Sequence, residues 1–304
     1  MIIYRLVSLV VVMLGVSTIT FALLHIVPGD PVEVMLGESA SIADREALRE
    51  DLGLDKPVIS QWVDFQKDLI HLEFGDSLYS KKPIRALIQE RAPWTLLLAI
   101  AALAIALFIA VPLGTVAAVR AGSRWDALAS SISLLGVSIP NFLFGPMLII
   151  VFSIWLGWLP TSGNESIQSI VLPALTLGAS LAAILARMIR ASLLEVLGEE
   201  YVVAARARGL SKLTVLFRHV YPNAALPVLT IIGLQLGALL GGAVITEIIF
   251  SWPGVGQLLI EGIQRRDYPV VQACVLLVSF VYVIVNMLTD LAYAQLDPRI
   301  NFGS

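Results

Sequence analysis

The sequence predicts an all-α membrane protein with six transmembrane helices. Of the 304 residues, 58% are hydrophobic and only 14% are charged, whereas a soluble domain carries about 25% charged residues. The mean hydropathy of +0.86 points to the same class, because a bilayer solvates apolar surface that a soluble fold would have to bury. The apolar segments are continuous rather than alternating, which favours helices, since a helix satisfies its own backbone hydrogen bonds in lipid.

Each of six apolar segments reaches the length of about 20 residues that a helix needs to cross the hydrocarbon core. The first is expected to be an uncleaved helix rather than a signal peptide, because no small-residue cleavage site follows it. The third is long enough to be tilted or bent, and Pro140 lies within it. The predicted spans are 6–27, 94–119, 127–156, 170–189, 226–250 and 269–291.

Lysine and arginine residues near the span ends predict that both termini lie in the cytoplasm. With the N-terminus inside, two basic residues, Arg265 and Arg266, fall in the short outer loops. The long segment after the first span is left out of this comparison, because long translocated segments do not follow the rule. The basic residues on the cytoplasmic side are Arg5, Arg120, Arg124, Arg187, Arg190, Arg206, Arg208, Lys212, Arg218 and Arg299.

The polar segment between the first two spans is predicted to be a small helical extracytoplasmic piece. One polar helix is expected to begin at Ile42 and end at Gly53, and the apolar spacing predicts a second helix over 59–72. The segment either caps the outer mouth or offers a docking surface to a soluble partner, and its residues favour the cap. The predicted division is a first transmembrane helix at 1–27, an extracytoplasmic segment at 28–93, and a core domain at 94–304 that includes a cytoplasmic loop at 191–224.

The cytoplasmic loop between the fourth and fifth spans contains the most specific pattern. A short helix from Glu200 is expected to stop at Gly209, because glycine suits the left-handed conformation of a helix end. Ser211 suits the N-cap of a second short helix, which Pro222 is expected to end. We call this helix–glycine–helix segment, residues 199–222, the elbow.

The elbow combines small, apolar and basic residues. Ala204, Ala205 and Ala207 are small enough to let another surface come close. The second helix is predicted to carry an apolar stripe, formed by Leu213, Leu216, Phe217 and Val220. The elbow therefore suits insertion into a cleft of another protein, or adsorption to anionic lipid headgroups through its arginines. The alanines, the glycine and the stripe favour a protein partner.

The elbow resembles the EAA motif of ABC importer permeases, in the form typical of the peptide-permease branch. The matching residues are Glu200, Tyr201, Ala204-Ala205-Arg206-Ala207-Arg208-Gly209-Leu210-Ser211, Arg218-His219 and Asn223-Ala224-Ala225-Leu226-Pro227. Further motifs that look like this branch are Pro28-Gly29-Asp30-Pro31, Leu52-Gly53-Leu54-Asp55-Lys56-Pro57, Gly75 with Ser77, Phe250-Ser251-Trp252-Pro253-Gly254-Val255-Gly256, Arg266-Asp267-Tyr268-Pro269-Val270 and Asp297-Pro298-Arg299-Ile300. Over nearly its whole length, the chain resembles the B-type permease subunit of bacterial dipeptide and oligopeptide ABC importers.

This resemblance implies the type I ABC importer permease fold and a place in the bacterial inner membrane. It implies a C-type sister permease, two cytosolic ABC ATPase subunits, an extracytoplasmic substrate-binding protein and surrounding lipid as partners. The elbow would be the coupling helix that fits a groove on one ATPase. The ATPase-coupling residues would be Glu200, Tyr201, Ala204, Ala205, Arg206, Arg208, Gly209 and Ser211. Substrates of the branch are dipeptides, longer peptides, glutathione or nickel chelates, of which peptides are the commonest.

The chain itself is expected to bind no cofactor and to catalyse no reaction. It lacks the Gly-Lys-Ser or Gly-Lys-Thr of a Walker A loop, so ATP and Mg would be bound by the partner ATPases. One cysteine and three distant histidines argue against a metal site, and a net charge of −3 argues against nucleic-acid binding. The alternatives are a secondary transporter driven by an ion gradient, which the elbow and the scarcity of buried charge disfavour, and a membrane enzyme, which ranks last.

The fifth predicted span carries a ridge of small residues. Gly233, Gly237 and Gly241 recur every four residues, a spacing that allows close helix packing. The ridge suits packing within the chain or against the sister permease. Gln235 lies among these glycines and is expected to face a neighbouring helix or the translocation path, because an amide is unfavourable against lipid.

The outer loop after the fifth span is expected either to shape an outer gate or to lie at the membrane surface without a gating role. Trp252 suits the membrane–water interface, and Pro253 with Gly254 suits a tight turn. Glu247 and Asp290 lie near the ends of their spans. We expect them to be interfacial anchors or salt-bridge partners rather than a proton relay.

Overall fold

The structure, a computed structural model, describes residues 2–26, 32, 41–51 and 53–296. Within these ranges the protein is helical, apart from loops and an isolated β-bridge between Asp76 and Pro83. The helices are α1 Ile2–Ile26, α2 Ile42–Asp51, α3 Val58–His71, α4 Ile84–Val119, α5 Arg124–Ser138, α6 Asn141–Leu148, α7 Val171–Leu197, α8 Glu200–Ala207, α9 Lys212–Val215, α10 Tyr221–Ile249, α11 Val255–Gln264 and α12 Tyr268–Leu296. Wider π-helical turns extend α6 and α9, at Ile149–Trp155 and Leu216–Val220.

All six predicted apolar segments lie on helices. Four helical stretches are long and apolar enough to cross a membrane, namely Ile84–Val119, Ile167–Leu197, Lys212–Gly237 and Tyr268–Thr289. Helices α5 and α6 qualify together as a fifth, broken span. Helix α1 has 25 residues, although its described apolar part, Val7–Ala22, is shorter than a full span. The all-α, multi-pass architecture predicted from the sequence is therefore confirmed.

The third predicted span is sharply bent. Helices α5 and α6 meet at 104°, and the break lies at Ile139 and Pro140. Proline has no N–H to donate to the preceding turn, and its ring disfavours a helical conformation in the residue before it. Ile139 is accordingly extended, with φ −91° and ψ 116°. The expectation of a bend at Pro140 is confirmed.

Contacts divide the chain into two compact units. The first comprises Met1–Trp94 and Pro253–Val283, and the second comprises Thr95–Trp252 and Ile284–Ser304. In the first unit, helix α3 packs on α1, where Gln66 Nε2 donates to Ser17 Oγ at 2.8 Å and the rings of Phe21 and Phe65 lie 5.6 Å apart. The two helices predicted for the polar segment after the first span are present, as α2 and α3, and the side of the membrane on which they lie stays a prediction.

A buried carboxylate organises the turn before α4 in the first unit. Asp267 accepts hydrogen bonds from the Ser77 hydroxyl and from the backbone N–H groups of Leu78 and Tyr79, at 3.1 and 3.2 Å for the two N–H groups. The guanidinium of Arg265 lies 4.1 Å from the centre of the Tyr79 ring. These contacts hold the loop before α12 against the turn before α4, two segments that are distant in sequence.

Helix α7 is the central helix of the second unit, where it packs against α5, α6 and α10. Small residues bring its backbone close to α4. A Cβ atom added to Gly178 would lie 2.7 Å from the carbonyl oxygen of Ala102, and one added to Gly114 would lie 2.7 Å from that of Ala186. The two helices therefore depend on glycine for their spacing, as is common in membranes.

Candidate functional site

The elbow has the helix–glycine–helix geometry that the sequence predicts. Helix α8 spans Glu200–Ala207, and Gly209 then adopts the left-handed conformation with φ +80°. Ser211 caps α9, since its Oγ accepts a hydrogen bond from the Thr214 N–H at 3.2 Å. The expectation that Pro222 ends the second helix is wrong. Pro222 lies in the first turn of α10, and the π-helical turns at Leu216–Val220 lead directly into this helix, so the helix continues through the proline.

The elbow turns one face toward its own chain and leaves an apolar face exposed. Val202 and Ala205 are buried, Ala205 with only 6% exposed, so Ala205 does not lie on the outer small-residue face expected for it, unlike Ala204 and Ala207. The predicted stripe is also divided, because Val220 is buried whereas Leu213 and Phe217 are 67% and 65% exposed. We define the elbow surface by its exposed apolar residues, which are Tyr201, Val203, Leu210, Leu213 and Phe217.

Basic side chains surround the elbow surface. Arg206, Arg208, Lys212 and Arg218 are exposed, and none of them forms an ion pair with any residue that the structure describes. The elbow thus presents apolar groups framed by cations, an arrangement suited to an anionic partner surface or to anionic headgroups.

Aromatic contacts connect the elbow to α10. The Tyr201 hydroxyl donates to the His219 carbonyl at 3.5 Å, and the rings of Phe217 and Tyr221 stack at 5.4 Å. The Tyr221 hydroxyl shares a hydrogen bond with Thr115 Oγ1 on α4. Burial raises the pKa of the Tyr201 phenol, and the Glu199 carboxylate raises it further, so Tyr201 stays a donor at neutral pH. These contacts join the two ends of the elbow to each other and the elbow to α4.

An ion pair that the sequence did not reveal joins α5 to α7. Arg190 on α7 binds Asp126 on α5 through two hydrogen bonds, Nε to Oδ1 at 2.7 Å and Nη2 to Oδ2 at 2.8 Å. Asp126 also accepts from the Gly122 N–H at 2.9 Å. The signal available in the sequence was an acidic residue in the first turn of an otherwise apolar span, which calls for a basic partner.

The glycine ridge of α10 has different surroundings along its length. At Gly233 an added Cβ would lie 2.0 Å from Thr289 Cγ2 on α12, so this position packs within the chain. Gly237 is buried. Gly241 has no atom within 4 Å of such a Cβ, so it is open to a neighbour outside this chain. Packing within the chain is thus seen at Gly233, and packing of the ridge against a sister permease stays a prediction.

Gln235 lines a cavity of about 170 Å³ between α6, α7 and α10. Asn141 and Ser180 supply the other polar side chains of the lining, and Leu177, Leu181, Leu239 and Gly242 complete it. The interior-facing position expected for Gln235 agrees with this placement. Sequence reasoning did not single out Asn141 or Ser180.

The residues assigned to an outer gate lie at the end of one unit and the start of the other. Trp252 is the last residue of this stretch of the second unit and is only 2% exposed, so its side chain packs inside the protein, and its place at the membrane–water interface stays a prediction. Its N–H donates to the Glu247 carbonyl at 2.8 Å. Pro253 begins the segment of the first unit in which Gly254 precedes the first turn of α11.

Glu247 is not the surface anchor that its position suggested. It is fully buried, and its Oε1 accepts a hydrogen bond from Thr95 Oγ1 at 2.7 Å. The Asp290 side chain lies outside the described residues. In the part of the chain that the structure describes, no three His, Cys, Asp or Glu side chains come together as metal ligands would.

Comparison with protein families gives two matches that together span almost the whole chain. Residues 110–302 match the family described as "Binding-protein-dependent transport system inner membrane component". Residues 1–99 match the family described as "Binding-prot-dependent transport system membrane comp, N-term".

Similar proteins of known description are transport permeases. The chain is 41% identical over 302 residues to the glutathione transport system permease protein GsiC of Escherichia coli (strain K12), an alignment that covers 99% of this chain and 98% of the relative. Identity and coverage are the same for the protein of that name from Shigella flexneri serotype 5b (strain 8401).

Solved structures share the fold. The MetNI methionine ABC transporter in inward-facing conformations aligns with a TM-score of 0.60 at 20% identity, over 70% of this chain and 97% of that one. An amino acid ABC transporter crystallised with histidines aligns with a TM-score of 0.53 at 16% identity, over 71% and 95%. At this level of identity the likeness concerns the fold, which is that of type I ABC importer permeases.

Proposed function

Since the chain belongs to the family of binding-protein-dependent inner membrane transport components, and is therefore an ABC importer permease, we propose that it forms with a second permease the translocation path for di- and oligopeptides. The observation that carries this proposal is the 41% identity, over the full chain, with a permease for glutathione, which is itself a small peptide. The peptide-branch motifs of the elbow support the same substrate class.

The elbow is the coupling helix of this permease in our proposal. The elbow surface offers apolar side chains to a groove on one of two cytosolic ATPases, and the surrounding arginines meet acidic groups at its rim. ATP and Mg are held by those ATPases, and this chain binds neither. The left-handed turn at Gly209, the hydrogen bond from Tyr201 to His219 within the elbow and the hydrogen bond between Tyr221 and Thr115 on α4 support a rigid coupling element.

The remaining partners follow from the same proposal. A C-type sister permease covers the open end of the glycine ridge near Gly241, a substrate-binding protein docks on the extracytoplasmic side, and lipid surrounds the spans. Both termini lie in the cytoplasm, in keeping with the excess of basic residues on that side.

Glutathione is the second candidate substrate, and the relatives' description favours it. A dipeptide and glutathione both contain peptide bonds, so a permease path suited to one is chemically suited to the other. Selection between them falls to the binding protein.

The test is a binding assay on the cognate soluble receptor, with a dipeptide, a longer peptide, glutathione and Ni²⁺ as probes. Submicromolar binding of peptides supports the proposal, and binding of glutathione alone supports the second candidate. Tight binding of Ni²⁺ without any peptide would overturn both. Concentrative uptake by the permease without its ATPases, driven by an ion gradient, would overturn the ABC mechanism.

A further inference from the structure

The cavity beside Gln235 lies in the second unit, at the corner where α6 leaves the bend. One wall is a face of α10, because Gln235, Leu239 and Gly242 follow the i, i+4, i+7 spacing. The facing wall comes from Leu177 and Ser180 on α7, and Asn141 at the start of α6 closes the corner. The cavity is thus walled by three helices that belong to membrane spans.

Two side-chain amides in this cavity have no partner. Asn141 and Gln235 are half-buried, and across the described ranges neither side chain makes a hydrogen bond. Ser180 donates to the Leu177 carbonyl at 3.2 Å, which leaves its oxygen free to accept. An unpaired amide is unfavourable within a membrane span. These groups therefore call for a polar partner that enters the cavity.

The chemistry of the lining selects among such partners. Each amide offers an NH₂ donor and a carbonyl acceptor, which is the complement of a peptide bond with its carbonyl and N–H. No carboxylate, histidine or basic side chain lines the cavity, so a metal ion or an organic cation finds no ligand of opposite charge there. Leucine side chains supply the rest of the lining and accept substrate side chains of varied shape.

We propose that Asn141 and Gln235 form a peptide-bond-binding site on the translocation path, which holds the backbone amide of the substrate in transit. This site rests on the proposed function and refines it. Every dipeptide, oligopeptide and glutathione molecule contains a peptide bond. The permease therefore recognises the substrate backbone, and selection among substrate side chains is made by the binding protein.

Gly242 keeps the site open next to Asn141. A Cβ atom at this position would lie 3.7 Å from Asn141 Nδ2 and 3.4 Å from Leu177 Cδ2, which is ordinary contact. Gly242→Ala therefore fits the helix packing while it narrows the cavity. This variant keeps both amide side chains and reduces the cavity volume that a substrate would occupy beside them.

The test uses the complete transporter, with sister permease, ATPases and binding protein, in proteoliposomes that contain ATP. Uptake of alanyl-alanine is compared with uptake of its ester analogue, which keeps the carbonyl and lacks the N–H. Both are supplied on saturating loaded binding protein, so that the permease step determines the ratio. In the wild type we expect the dipeptide to enter about fivefold faster, the effect of one neutral hydrogen bond.

Gln235→Leu and Asn141→Leu each remove an amide, and each should bring the dipeptide-to-ester ratio close to one. Leu234→Ala is the matched control, because Leu234 lies on the same helix outside the cavity and is 56% exposed; it should keep the wild-type ratio. Gly242→Ala should reduce uptake of both compounds.

An unchanged ratio in both amide variants would overturn the inference, as would undiminished uptake in Gly242→Ala. An equal loss for dipeptide and ester would overturn it too, because a purely structural role or a contact with the sister permease gives that result. A wild-type complex that carries neither compound would instead refute peptide import itself, and the peptide-bond site with it.

Discussion

In the ion pair of Asp126 and Arg190, the effect of losing one charged side chain depends on how deeply the other is buried. The Asp126 side chain is 9% exposed, against 34% for Arg190. Loss of the arginine would leave a buried carboxylate without its cation, whereas loss of the carboxylate would leave an arginine that still reaches solvent. Breaking a buried pair from one side is more harmful than replacing both partners, so the two single substitutions differ in their expected effect.

We expect Arg190→Met to lower the melting temperature of the purified permease complex more than Asp126→Asn. The double variant Asp126→Asn/Arg190→Met should melt above the temperature that the sum of the two single changes gives, because it removes both charges. Thermal unfolding in nanodiscs measures all three. Asp64→Asn is the control, since Asp64 pairs with Lys56 and Lys67 at the exposed surface, where ion pairs contribute little. Strictly additive single effects would contradict the role of the pair.

At the scale of the element, local sequence signals predicted the elbow well where backbone chemistry decides. Gly209 and Ser211 act as expected because a left-handed turn and a helix cap depend on the residue itself. Pro222 misled because a proline in the first turn of a helix is as favourable as one after its end. The prediction for Ala205 was wrong because the buried face of a short helix is determined by the surface against which the helix packs, and the local sequence does not show that surface.

The turn at Gly209 should be required for coupling. Gly209→Val places a β-branched residue at φ +80°, where an added Cβ meets no neighbour, so the penalty is backbone strain of about 1–2 kcal/mol. We expect peptide uptake in proteoliposomes to be lost while ATP hydrolysis and membrane insertion remain. Gly157→Val, which has the same open surroundings at φ +64°, is the matched control and should transport normally. Unimpaired uptake in Gly209→Val would exclude a coupling role for the turn.

The elbow surface should contribute to ATPase binding through its apolar side chains. Leu213→Ser removes one that is 67% exposed, so the permease alone should keep its stability. Its affinity for the ATPase subunits should fall about tenfold if Leu213 is one of the residues that dominate the interface. Ile167→Ser, at a site 92% exposed outside the elbow, should leave affinity unchanged. Equal affinity of both variants in a titration would place the contact elsewhere.

For the whole molecule, the features that sequence could not predict depend on contacts between distant segments. The all-α, multi-pass architecture and the bend at Pro140 follow from composition and from proline chemistry, whereas the described residues contain four or five of the six predicted spans. The meeting of Asn141 with Gln235, and of Asp126 with Arg190, depends on how α5, α6, α7 and α10 pack after that bend. In the sequence, nothing distinguishes Asn141 from other polar residues that follow a proline. Its place in the cavity lining results from the packing of the helices.

The spacing of α4 and α7 governs the second unit, and Gly178 tests it. A methyl group at Gly178 would lie 2.7 Å from a backbone oxygen of α4, which cannot move without its helix, so Gly178→Ala should destabilise the fold by about 1–3 kcal/mol through overpacking. Thermal unfolding in nanodiscs should show a lower melting temperature, with slower peptide uptake because α7 forms a wall of the cavity. Gly15→Ala in α1 adds the same methyl group into open space and should be neutral or stabilising, since alanine favours a helix by about 1 kcal/mol over glycine. If the two variants melted alike, the close approach of α4 and α7 could not be what holds this unit together.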